Sequence, residues 1–374
     1  MAAALLSRSW WIAYRDHLLG KSQFLRFAIR FPLTRPIARR RAGRLFDLCA
    51  GFVYSQILLA CVRLRLFELL SDGARSTSAL ADAMSLSIDD ARRLLRAAVS
   101  LELVASRGDD SFGLGVLGSA LLANPGVAAM IEHHSLLYAD LADPVALLRR
   151  RSDTSLARYW PYAGRERSSL PDAAIHPYST LMSQSQSLIV DDVLAAYSLA
   201  PHRRLLDVGG GDGHFAAAVV KRWPHLDVAV FDLPAVAERA RARFSKEGIR
   251  AGAIGGDFAD HPLPGGADVI TLIRVAHDHD DVALLGLFRS VCKALPQHGA
   301  LVLAEPMSGT RGGERIADAY FGFYLLAMRS GRPRTPEELS HLLMEAGFGS
   351  VRSVPTRMSN LVRLIVATPS GRLQ

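Results

Sequence analysis

The spacing of apolar positions changes character at about residue 203: helical intervals precede it, and short apolar runs separated by amphipathic stretches follow it. Residues 52–70 predict an amphipathic helix ending at Ser71-Asp-Gly73, and Thr77 to Met84 predicts a short one. Ser87, with Asp90 three residues on, caps a helix through about Ser100. Leu103-Val-Ala, the polar turn Arg107-Gly-Asp-Asp110 and Phe112-Gly-Leu then predict a small hairpin. Three helices followed by a hairpin make a winged helix. Residues 115–200 read as helical, with breaks around Pro125, Asp143-Pro144 and the stretch 152–177. The helix Tyr178 to Tyr197, which carries Met182, leads into the second half.

From Arg203 the pattern alternates strand and helix. Strands are predicted at 204–208, 226–231, 249–254, 267–275 and 300–304, then a C-terminal antiparallel hairpin from Val351 to Met358 and Leu361 to Thr368. Such alternation implies an α/β doubly wound sheet covered on both faces. The expected division is an arm at 1–50, a winged-helix and helical domain at 51–177, and a sheet domain at 178–374.

Charge changes the picture at one end. The net charge of +8 belongs to residues 1–50, where ten Lys or Arg face two acids, while the rest carries 34 of each sign. That arm interleaves its cations with Trp10, Trp11, Tyr14, Phe24, Phe27 and Phe31. The mixture suits an anionic membrane surface, with packing on a partner subunit and nucleic acid as the other readings. The predicted third helix of the winged helix opens with Asp89 and Asp90, which oppose phosphates, so no nucleic-acid partner is expected. The apolar run Gln56 to Val62 ends at Arg63, far short of a span, and no secretory signal is expected. Three widely spaced cysteines suit a reducing cytosol. The expected location is cytoplasmic, peripheral on the inner membrane face where the arm binds it.

The chemistry gathers at strand ends. After Leu205, Leu206 and Val208 come Gly209, Gly210, Gly211 and Gly213, then a helix. Glycines there let a nucleotide-like ligand approach the backbone. A dinucleotide fingerprint needs a small residue where His214 stands, so Asp207-x-Gly-x-Gly-x-Gly213 favours S-adenosylmethionine (SAM). Asp232 after the second strand can accept ribose hydroxyls, and Asp257 with Phe258 after the third can meet adenine. His277 follows the fourth strand and Glu305 ends the fifth, a base beside its orienter or a buried histidine satisfied by an acid. The string His277-x-His279-x-Asp281 lacks a following His, which is Val282, so no metal is expected. Asp278, Asp280 and Asp281 read as the charged start of the next helix.

Taken together, the Asp207-to-Gly213 loop, Phe231-Asp-Leu-Pro234, Gly256-Asp-Phe258, His277-Asp278, Leu303-Ala-Glu-Pro306, Gly331-Arg-Pro-Arg-Thr-Pro336 and Glu345-Ala-Gly-Phe348 resemble the SAM-dependent O-methyltransferases of the caffeate/hydroxyneurosporene type. The resemblance covers about residues 50–368 and implies a class I Rossmann-like methyltransferase sheet with a mostly helical winged-helix dimerisation domain, hence a homodimer. It implies that Gly209 to Gly211 pass the methionine part of SAM, that His277 is the base and that Glu305 is its partner. Arg274 lies near a cofactor-contacting Lys of relatives. Pro333 stands where plant-type members carry a second Glu, leaving one carboxylate to steady His277. Phe31 to Arg41 and Leu45 to Tyr54 resemble the carotenoid O-methyltransferases of photosynthetic bacteria, which implies O-methylation of the tertiary 1-hydroxyl of an acyclic carotenoid. Met182, Tyr320, Phe321, Phe323, Tyr324 and Met328 are candidate walls of a long apolar acceptor pocket. The alternatives are a small phenolic or polyketide hydroxyl, or a SAM-sensing winged-helix regulator of DNA.

Overall fold

A computed structural model describes residues 8–150, 153–159 and 189–371. The chain forms two compact units, Met1–Ala120 and Leu121–Gln374.

In the first unit, helices Arg8–Leu19 and Ser22–Arg30 precede one long helix, Arg35–Arg63, which begins with Pro36 in its first turn. The sequence pattern starts a helix only at residue 52, but the chain is already helical across residue 50. Gly43 and Gly51 lie inside it. A glycine costs a helix only about 1 kcal/mol, too little to stop one with good formers on both sides. Arg65, at φ 54°, turns the chain into the short helix Leu66–Leu69. By length and composition the 29-residue helix could cross a membrane, with a window of mean hydropathy 1.8 that is 11% buried. The expectation that no segment is long enough therefore fails on that criterion, because the apolar run continues through Gly51 and Gln56.

The winged helix forms as the caps predict. Ser76 Oγ accepts the N–H of Ala79 at the head of Thr77–Met84, and Ser87 Oγ that of Asp90 at the head of Ile88–Ser100. Strands β1 (Arg75–Ser76), β2 (Val104–Ser106) and β3 (Ser111–Leu114) form an antiparallel sheet in the order β1-β3-β2. Arg92 pairs with Asp89 and Arg93 with Asp90, so cations on that helix face already have carboxylate partners.

The second unit is built on a seven-stranded sheet: β4 (Arg204–Val208), β5 (Asp227–Asp232), β6 (Ala251–Gly255), β7 (Val269–Ile273), β8 (Ala300–Glu305), β9 (Phe348–Val354) and β10 (Arg363–Pro369). Their order is β6-β5-β4-β7-β8-β10-β9, with β10 antiparallel to both neighbours and the others parallel. Every residue of β7 and β8 is buried, which explains why their sequences are apolar except for Thr271 and Glu305. Alternate residues feed two cores. Leu206, Val208, Ile270 and Leu272 join the helices Asp281–Ala294 and Pro336–Glu345. Leu205, Val228, Val269 and Val302 join residues 189–196 and the helices His214–Arg222 and Pro234–Glu247. The strand order reverses between β4 and β7, the position at which open α/β sheets take a ligand outside their strands' carboxyl ends. Helices Pro125–Asp140, Pro144–Leu148 and Ser155–Tyr159 cluster with this unit because Leu137, Leu147 and Leu156 pack against Tyr324, Leu325 and Met328.

Candidate active site

Strand β4 delivers the chain into the glycine loop. Gly211, at φ 61°, has nothing within 4 Å of where a Cβ would stand, so its surface is open. Gly213, at φ 82°, has no such room: a Cβ would stand 2.3 Å from the Phe244 ring. Gly209 and Gly210 complete the turn between them. Beneath the loop, Asp207 Oδ1 accepts from Thr271 Oγ1 at 2.6 Å, while Oδ2 is buried with no partner. Burial raises this carboxyl to about 7 against the pull of the Thr271 hydroxyl.

Strand β5 ends at Asp232, whose Oδ2 accepts the N–H of Gly211 at 2.8 Å and Oδ1 that of Leu233 at 2.7 Å. Burial raises Asp232 to about 6; the two N–H groups lower it, and Asp257 and Asp212 raise it further. Asp257, after β6, is buried and accepts the N–H of Ala259 at 2.9 Å, and Phe258 meets the His279 ring edge-on at 5.2 Å. The strand ends thus present clustered acceptors with excess negative charge beside an open glycine. A cation that carries ribose hydroxyls and an amino group fits this set, and SAM is such a ligand. Each Asp232 oxygen keeps a lone pair for a hydroxyl.

His277 lies in a short 3₁₀ turn, Ala276–Asp278, just past β7. Glu305, the last residue of β8, binds its Nδ1 through Oε2 and accepts the N–H groups of Val275 and Ala276 through Oε1. Adjacent parallel strands bring the two together, as their spacing predicts. The other ring nitrogen, Nε2, stands 3.2 Å from Asp278 Oδ1. The expectation of a single carboxylate beside this ring is thereby corrected: Asp278 is a second, although Pro333 supplies none. Asp278 does not start the next helix either; Asp280 caps it and Asp281 opens it. The 3₁₀ turn folds Asp278 back against its neighbour's ring. Burial alone would lower the imidazole, but Asp278 and Glu305 outweigh it and raise His277 above its ordinary range, with Arg274 opposing them. Arg274 is half-buried at a left-handed φ of 58°, with its guanidinium 5.4 Å over the Phe321 ring.

The aromatic candidates separate. Phe321 meets His277 edge-on at 5.4 Å, and Tyr320 and Tyr324 adjoin Phe321 at 5.1 and 6.5 Å. Met328 is fully buried in the same core as Tyr324, Leu137 and Leu147, and Phe323 is exposed. Met182 falls outside the described residues. Two histidines belong here that sequence reasoning missed. His133 Nε2 bonds the Tyr324 hydroxyl at 2.9 Å, and His134 Nε2 bonds that of Tyr320 at 2.8 Å. Burial lowers both imidazoles, His133 to about 4, so they are neutral at pH 7. The signal was present: His133 sits four residues before Leu137, on the buried face of its helix.

A glycine loop at the switch point, an acid after the second strand and a histidine–carboxylate pair after the fourth define a SAM-dependent methyltransferase. The chain belongs to the SAM-dependent O-methyltransferase family. It matches the O-methyltransferase domain over residues 138–349 and the O-methyltransferase dimerisation domain over 46–124, the latter supporting a homodimer. It is 43% identical to demethylspheroidene O-methyltransferase of Cereibacter sphaeroides over 340 residues, covering 90% of each chain. To the protein of that name in Rhodobacter capsulatus it is 40% identical, over 91% of this chain and 86% of the other. Human N-acetylserotonin methyltransferase in complex with SAM has the same architecture, with a TM-score of 0.74 at 26% identity, over 88% of this chain and 98% of that one. A DNA-binding regulator finds no support among these relatives.

Proposed function

We propose that the protein transfers the methyl of SAM to the tertiary 1-hydroxyl of an acyclic carotenoid of the demethylspheroidene type. The observation that carries the acceptor is the similarity to two demethylspheroidene O-methyltransferases along nine tenths of the chain. The rings of Phe321, Tyr320 and Tyr324, gathered beside the charged His277–Glu305–Asp278 group, agree with a hydrocarbon acceptor. Bound SAM supplies an electrophilic methyl group on a sulfonium centre. Gly209, Gly210 and Gly211 accept its methionine part, Asp232 the ribose, Asp257 and Phe258 the adenine, with Arg274 beside them. His277 takes the acceptor's proton on Nε2 as the oxygen bonds the methyl carbon and the methyl–sulfur bond breaks, its electron pair staying on the sulfur. A tertiary alcohol is a weak acid, so proton removal accompanies attack rather than preceding it. Glu305 holds Nδ1, and the imidazolium that forms lies between Glu305 and Asp278, two carboxylates that stabilise it. Tyr320, Phe321 and Tyr324 wall the acceptor, and much of the acceleration is positional.

The exposed Trp10, Trp11, Tyr14, Phe27 and Phe31, set among Arg15, Lys21, Arg26 and Arg30, suit peripheral contact with an anionic membrane, where a polyene resides. Mass spectrometry of pigments from carotenoid-producing cells with and without this chain tests the acceptor. A methoxy carotenoid gained only with the chain is expected. A methylated small phenol or polyketide instead, with carotenoids unchanged, refutes it.

A further inference from the structure

The turn that carries His277 is gripped by a segment 52 to 58 residues downstream. Arg334 is 2% exposed. Its Nη1 donates to the carbonyl of Ala276 at 2.9 Å, its Nη2 to that of His279 at 2.7 Å, and its Nε to Asp281 Oδ1 at 2.8 Å. Ser330 Oγ donates to the carbonyl of Asp278 at 2.6 Å. Gly331, at φ 76°, packs so closely that a Cβ would stand 2.0 Å from the carbonyl oxygen of His277. Every carbonyl from 276 to 279 is therefore bonded to or covered by residues 330–334.

A buried guanidinium is a costly way to satisfy three acceptors, and one that cannot shed its charge. What it offers is a planar fork that fixes two peptide groups, three residues apart, relative to each other. Its charge is balanced locally. Burial works to raise Asp281, but Arg332 and Arg334 hold that carboxylate below its ordinary range. Arg334 touches the peptides on either side of His277 rather than the imidazole. Glu305 grips the same turn through the N–H groups of Val275 and Ala276.

We propose that Arg334, assisted by Ser330, is a positioning residue for methyl transfer, fixing the peptides around His277 so that its imidazole keeps its alignment between Glu305 and the acceptor hydroxyl. The inference rests on His277 as the base. The charged groups facing the imidazole are Asp278 and Arg274 on its own segment and Glu305 from β8; Tyr320 and Tyr324 stand behind Phe321, both raised by burial and protonated.

The test compares Arg334→Gln, Arg334→Lys and Ser330→Ala in the full chain, reading kcat, the KM for SAM, the pH profile and thermal melting. Arg334→Gln lowers kcat by about 100-fold, the scale of a ~1 Å misplacement, with little change in the KM for SAM. The acid limb of its profile moves to lower pH as His277 slackens from Glu305. Arg334→Lys recovers part of kcat. Ser330→Ala gives the same pattern at smaller amplitude, and it decides the matter should Arg334→Gln not fold. Rates that follow the folded fraction alone, with the acid limb unmoved, overturn the inference. A fully active His277→Ala removes the base itself; an inactive His277→Ala beside native-like Arg334 and Ser330 variants removes only the positioning role.

Discussion

Glu305 serves His277 twice: Oε2 binds the ring at Nδ1, and Oε1 accepts the N–H groups of Val275 at 2.9 Å and Ala276 at 2.7 Å. One carboxylate thus holds both the imidazole and the peptides that lead into it. Glu305→Gln keeps the shape and removes the charge. Burial works to lower His277, yet Asp278 and Glu305 raise it above its ordinary 6.5, so the imidazole is neutral only above that raised value. The acid limb of the native rate profile therefore lies above pH 6.5. Glu305→Gln removes one stabiliser of the cation, so its limb moves to lower pH while kcat falls about 100-fold. Steady-state rates from pH 5.5 to 9 check this, and a limb left in place contradicts it.

His277→Ala loses most turnover, about 10²- to 10⁴-fold, while SAM affinity stays near wild type. Calorimetry beside a methyl-transfer assay separates the two quantities. Unimpaired turnover sinks the base assignment.

Asp232→Ala weakens SAM binding by about 10- to 100-fold, the worth of one or two hydrogen bonds to a charged group. Because burial raises this carboxyl to about 6, protonation below that pH withdraws an acceptor, and SAM affinity of the native protein falls with it. Titration calorimetry at pH 5 and pH 8 measures both effects. Equal affinities in the variant and native chain take Asp232 out of the site.

His133 supplies a stability prediction. Burial depresses it to about 4 from 6.5, so the unfolded chain binds its proton more readily than the folded one between those values. The stability it contributes is present above pH 6.5 and is lost as pH falls towards 4, by up to about 3 kcal/mol. Tyr324→Phe leaves His133 Nε2 without its phenol and costs a further ~1–3 kcal/mol. Denaturant melts at pH 5 and pH 7.5 report each change; a native-like midpoint in Tyr324→Phe rejects the second.

Deleting residues 1–34 removes five of the arm's ten cations together with Trp10, Trp11, Tyr14, Phe24, Phe27 and Phe31, and leaves the helix Arg35–Arg63 whole. Reduced flotation with anionic vesicles is expected, along with unchanged flotation with neutral ones. Undiminished binding to anionic vesicles shows that residues 1–34 are not the membrane contact.

The sheet was largely legible because buried parallel strands are short, mostly apolar runs; β4 falls on 204–208 as its pattern predicts. Ser87 and Asp90 marked a helix start through local hydrogen bonds that sequence alone can propose. What stayed hidden depends on contacts distant in sequence or on backbone shape. Asp278 reads as a helix-opening acid until the 3₁₀ turn folds it beside the imidazole. The grip of Arg334 joins segments 58 residues apart. The first part of the long N-terminal helix, residues 35–51, was missed because Gly43 and Gly51 punctuate its pattern without ending the helix.

The His133–Tyr324 and His134–Tyr320 pairs bear on how this enzyme could be redesigned. Each phenol hydroxyl is hydrogen-bonded to an imidazole on the facing helix, so neither side chain can be exchanged alone without stranding the other. Libraries that vary single wall positions would enrich for instability before they reached new acceptors. Acceptor range is better explored by changing each histidine and its tyrosine together, as one unit of design.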